Sequence, residues 1–70
     1  MPIRFSGLEL LTPEQQELLK EYAFWQNALV SSPEDFDYQE ALQVVEDQLI
    51  RMGLYPCYDD EDECYTYIVG

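Results

Sequence analysis

Histidine is absent from this chain, and lysine and arginine together number three, Arg4, Lys20 and Arg51. The first absence removes the side chain that most often shuttles protons and binds transition metals near neutral pH. Ser-His and Cys-His nucleophile pairs go with it, and no Cys/His spacing resembles a zinc site. The scarcity of cations disfavours nonspecific binding to DNA, RNA or an anionic membrane, which depends on Lys and Arg displacing counterions from phosphate. Cysteine is limited to Cys57 and Cys64, too few for a disulfide scaffold of the secreted kind, so both read as thiols of a reducing compartment. No apolar run approaches the roughly 18 residues of a membrane span, and the stretch from Met1 to Gly7 lacks the apolar centre of a signal peptide. The expected setting is cytoplasmic.

What is abundant is negative charge. Fifteen Asp and Glu residues leave a formal net charge of −12 over 70 residues. An acidic disordered tail would lack apolar residues, whereas this chain is 47% hydrophobic and 14% aromatic, enough to expect one folded domain over 1–70. Most of the acids have no basic partner within the chain, and self-repulsion at this density works against a compact state.

The organisation predicts an α+β fold. Residues 3 to 10 begin with the alternation Ile3, Phe5 and then meet Gly7, which suggests a short strand and a turn. Thr12, Pro13 and Gln15 carry the signs of a helix start: a cap hydroxyl, a proline where no amide hydrogen is needed, and a capping-box partner. Leu18, Tyr22, Trp25 and Leu29 then form one stripe of a helix to about Val30, widened by Leu19, Ala23 and Val30, while Phe24 falls among Glu17, Lys20 and Glu21 on the opposite face. A second helix is expected to restart at Ser32-Pro33-Glu34-Asp35, with Tyr38, Leu42, Val45 and Leu49 as its stripe and Gly53 as its stop. So short a connection predicts an antiparallel helical hairpin whose core includes Leu18, Tyr22, Trp25, Leu29, Leu42, Val45 and Leu49.

The remaining residues read as a C-terminal β-hairpin, Tyr55 to Tyr58 and Cys64 to Val69, packed on the helices, with the N-terminal segment available as a third short strand. Register decides the cysteines. A loop of Asp59 to Asp62 puts Cys57 opposite Cys64, close enough to consider a disulfide, whereas a loop of all five acids offsets the thiols.

The candidate site is the run Asp59, Asp60, Glu61, Asp62 and Glu63 between Tyr58 and Tyr65. Clustered carboxylates suit calcium, but the glycine and bidentate glutamate of an EF-hand loop are missing. An ordinary solvated loop rarely needs five like charges in a row, since neighbouring carboxylates repel. Tyr58 and Tyr65, bracketing the run, are expected to face outward as interface aromatics. Neither cofactor nor metal is implied. Enzyme chemistry is not expected, because paired carboxylates without a cleft do not make an acid–base catalyst.

The function expected is that of a small acidic binding protein which blocks a basic surface of a nucleic-acid-handling partner, imitating nucleic acid by interleaving carboxylates with aromatics. Compact, highly acidic chains of this kind resemble in general character the inhibitors that phages and mobile elements use against restriction or CRISPR machinery. The likeness is one of class, and its implication is an anti-CRISPR-like inhibitor. The alternative is a regulatory or assembly subunit that binds through apolar outer helix faces at Phe24, or self-associates there as a homodimer.

Overall fold

A computed structural model describes residues 3–70. A single 3-10 turn at Leu8–Leu10 precedes α1, Pro13–Ser31, and α2, Phe36–Arg51, which are followed by strands β1, Leu54–Asp59, and β2, Cys64–Val69. Helix α1 starts where the capping signals lie. Thr12 Oγ1 accepts from the Gln15 amide at 3.3 Å, and Gln15 Oε1 accepts from the Thr12 amide at 3.1 Å. At the C-terminus of α2, Gly53 takes φ +80 just beyond the Met52 cap, a conformation that costs glycine little.

The start of α2 lies three residues later than Ser32 and Pro33 suggest. Ser32 is spent on the preceding helix: its amide donates to Ala28 O at 3.0 Å, and its own carbonyl accepts from the Asp35 amide at 3.1 Å across a turn over Pro33 and Glu34. Asp35 is the cap instead, with Oδ1 accepting from the Asp37 and Tyr38 amides at 3.0 and 3.3 Å. A carboxylate satisfies two orphan amides and also complements the positive end of the helix dipole, which a hydroxyl does not.

The helices pack together and β1 lies against α2, so the core is a junction of three elements. Leu18, Leu19, Val45, Leu49 and Leu54 form its buried centre, with Phe5, Leu8, Leu11, Tyr22, Trp25 and Tyr67 packed around them. Leu19 and Ala23, expected as flanks of the stripe, are 1% and 0% exposed, whereas Val30, expected beside them, is 73% exposed and Leu29 and Leu42 are only half-buried. The reason is positional. Leu29 and Leu42 lie toward the Ser31–Asp35 connection, whereas Leu54 at the start of β1 and Leu8 and Leu11 ahead of α1 join the core at the opposite end of the helical pair.

The sheet has two antiparallel strands, with Tyr58 paired to Tyr65, Cys57 to Thr66 and Asp59 to Cys64. The register differs from both alternatives drawn from the sequence, because Asp59 belongs to β1 and the connection is Asp60 to Glu63. Cys57 and Cys64 are therefore offset diagonally and remain free thiols. A diagonal pair sits about 7–8 Å apart, beyond disulfide reach.

The third strand shrinks to one parallel bridge between Phe5 and Tyr65. The Tyr65 amide donates to Arg4 O at 2.8 Å and the Ser6 amide to Tyr65 O at 2.9 Å, after which Gly7, at φ +79, turns the chain away. Tyr67 Oη holds that turn by donating to Gly7 O at 2.8 Å. Since Tyr65 directs its backbone groups outward, the alternation along the ladder makes Pro56 outward-facing on β1. A proline without an amide hydrogen is tolerated there and blunts the open edge.

Candidate functional site

The five acids do not share one duty. Asp59, half-buried at the end of β1, turns its side chain back into the connection, where Oδ1 accepts from the Glu61 amide at 3.0 Å and the Asp62 amide at 3.4 Å. Asp side chains stabilise turns in this way by standing in for a backbone acceptor. Asp60, Glu61, Asp62 and Glu63 are exposed. Glu63 closes the turn at φ +51, in the left-handed region that disfavours a side chain. The outcome is four solvated carboxylates at the tip of a hydrogen-bonded turn.

The flanking tyrosines divide as well. Tyr58 is 51% exposed, as expected for an outward aromatic. Tyr65 is half-buried, contrary to the expectation that it faces outward, because the N-terminal segment and α1 close over it. Its ring centroid lies 6.2 Å from Phe5, 6.2 Å from Tyr22 in an edge arrangement, and 5.1 Å from Tyr58. Burial first, and then the neighbouring Tyr58, pushes the Tyr65 phenol above its ordinary value. Tyr22 is raised in the same direction, by burial and then by Glu46, Tyr65 and Cys57.

Phe24 is 57% exposed on α1, while Trp25, its neighbour, is half-buried. The two rings meet edge to face at 5.1 Å, and Trp25 continues inward to Tyr38 at 5.5 Å. Phe24 is thus the exposed end of an aromatic series running into the helical hairpin.

Two open clefts lie along α1. One, of about 520 Å³, is walled by Tyr58, Glu63 and Tyr65 from the hairpin, Arg4 from the N-terminal segment, and Asn27 and Val30 from α1. The other, also about 520 Å³, has Phe24, Trp25, Ile3 and Phe5 as its apolar surface and Glu17 and Glu21 among its polar lining. Ile3 borders both. The structure therefore brings the end of the acid turn and Phe24 to neighbouring clefts on one side of the molecule, a proximity that sequence reasoning did not find. Arg4, Asn27 and Val30 were missed too. No local pattern marks them, because only the long-range Phe5–Tyr65 bridge sets Arg4 beside the hairpin.

Among the described residues, no three Asp, Glu or Cys side chains converge as a metal site, and no helix is long and apolar enough to cross a membrane. Comparison with protein-family models, with curated proteins and with solved structures finds no match to this chain.

Proposed function

We propose that this protein is a small acidic binding protein, acting in the cytoplasm without catalysis, that docks its acid turn onto a basic surface of a nucleic-acid-handling partner and blocks it. The observation that supports this reading is the division of labour in the turn: Asp59 holds the backbone, leaving Asp60, Glu61, Asp62 and Glu63 solvated beside exposed Tyr58. Like charges gathered on an anchored turn raise the local potential and steer encounter with a cationic groove. Tyr58 supplies a large, stiff contact at little entropic cost once the surfaces meet. The class-level likeness to the inhibitors of restriction and CRISPR machinery agrees with this mode of action.

A second reading, an assembly subunit that binds through an apolar helix face or pairs with its own kind there, draws support from the exposure of Phe24. Salt separates the two. The partner is to be captured from the source cells and the association measured at low and high ionic strength, alongside the variant Asp60→Asn, Glu61→Gln, Asp62→Asn, Glu63→Gln, which keeps Asp59. Wild type should lose affinity steeply with salt, and the neutralised variant should associate more slowly at low salt. Tyr58→Ala should mainly speed dissociation. Competing nucleic acid should displace the wild-type protein. Unchanged association of the neutralised variant at low salt would sink the electrostatic reading in favour of the apolar one.

A further inference from the structure

We infer that the open edge of β2 at Tyr67 to Val69 pairs with the same edge of a second copy, joining two hairpins into one four-stranded sheet. Backbone direction carries the argument. Tyr65 turns its amide and carbonyl away from β1, toward Arg4 O and the Ser6 amide, while the Gly70 amide turns inward to Gly53 O at 2.8 Å. By alternation Tyr67 and Val69 direct their amides and carbonyls outward, and among the described residues no other backbone group meets them there. The remaining edges are interrupted: Pro56 stands on the β1 side, and the Phe5 bridge occupies β2 at Tyr65. What is left open, Tyr67-Ile68-Val69, is aromatic and β-branched, continuous in register, and without charge or proline, so nothing deters an added strand.

The pattern of donors and acceptors selects the occupant. Extended backbone is answered by another extended strand, and an antiparallel copy of this edge answers it with itself. Setting Ile68 against Ile68 of the second copy places Tyr67 opposite that copy's Val69, and each such pair exchanges both of its backbone hydrogen bonds about the two-fold axis. The same register lines up Tyr55, Ile68 and their two counterparts in one row across the sheet, where all four side chains are exposed before pairing. Charge does not oppose the contact locally, because Cys64 to Gly70 holds no Asp, Glu, Lys or Arg side chain. The acid turns fall at opposite ends of the joined sheet. Glu63 stands five residues from Ile68, about 17 Å at about 3.4 Å per residue, so the turns lie about 34 Å apart, several times the screening length at physiological salt.

So short a ladder makes a weak dimer, with a Kd on the order of 0.1 mM, and sedimentation equilibrium of the full chain from about 10 µM to about 1 mM should resolve it. Over the same range the amide signals of Tyr67 and Val69 should shift and exchange more slowly with solvent, while those around Phe24 should not. Ile68→Lys should abolish dimerisation with an unchanged circular dichroism spectrum, although it reduces the net negative charge, because two lysines then face each other at the axis. Ile68→Val should retain the dimer. Val69→Pro deletes the outward amide and should act as the lysine does. Added salt should tighten the dimer by screening, the opposite of its expected effect on a basic partner, so this pairing and the electrostatic function fail separately. A chain that stays monomeric to about 1 mM, a dimer that survives Ile68→Lys, or concentration-dependent shifts centred on Phe24 would overturn the pairing.

Discussion

Asp59 and Asp60 are adjacent carboxylates with different roles, and substitution separates them. Asp59→Ala removes the acceptor for two turn amides and should lower stability by about 0.5–1.5 kcal/mol in chemical denaturation, the usual net value of such bonds. Asp60→Asn touches no such bond and should leave the midpoint unchanged or slightly raised, since it relieves repulsion. Equal losses for both would contradict the turn described here. Tyr22 and Tyr65 give a second handle at this scale. Their phenols ionise above the ordinary value of 10.0 in the folded state, so the unfolded chain loses these protons first. The stability they confer is complete below about pH 10 and falls as pH rises through the folded values. Unfolding followed from pH 9 upward, as marked against the ordinary tyrosine pKa of about 10, should show that loss, and Tyr22→Phe should flatten it.

Between residue and molecule stand the helix caps, where sequence and structure part over α2. Ser32-Pro33 satisfies the common pattern of hydroxyl and first-turn proline, yet Ser32 already closes α1 through Ala28 O. Two helices cannot share the same residue as both end and start without crowding the connection, and Asp35 takes over. Asp35→Ala should therefore cost about 1 kcal/mol of stability, as loss of an N-cap does, while Ser32→Ala should cost a few tenths at most. Thermal melts of the two variants check the assignment, and the reverse order would restore the earlier start. The hairpin register follows similar logic. Asp59 ends β1 with its side chain holding the turn, and the resulting pairing lies two residues from the register that would set Cys57 opposite Cys64.

At the scale of the whole molecule, charge and size act against one another. A chain of 70 residues buries a limited core, and a net charge of −12 presses outward on it. Added sodium chloride at neutral pH should raise the melting temperature by screening that repulsion, and the gain should shrink in the variant neutralised at Asp60 to Glu63. A melting temperature that falls with salt would mean that attractive pairs outweigh the repulsion. The cost in stability makes sense if the charge serves an encounter with a cationic partner, which is the function proposed.

The sequence by itself determined the elements whose signals are local. Thr12, Pro13 and Gln15 start a helix because their groups meet within one turn, Gly53 ends one because it alone among its neighbours tolerates a positive φ cheaply, and the paired aromatic and β-branched runs around the acids make a hairpin. The exposure of Phe24 was legible in the same way, from the charged residues sharing its helical face. Tertiary structure decided whatever depends on contacts distant along the chain. It chose Leu19 and Ala23 over Leu29 and Leu42 for deep burial, since periodicity marks a face but not which part of it Leu8, Leu11 and Leu54 will pack against. It reduced the N-terminal strand to one bridge, drew Tyr65 inward beneath Phe5 and Tyr22, and set the acid turn and Phe24 at adjoining clefts through Ile3. These outcomes depend on how β2, α1 and the first residues settle against one another, a competition among packings that no spacing within a single element records.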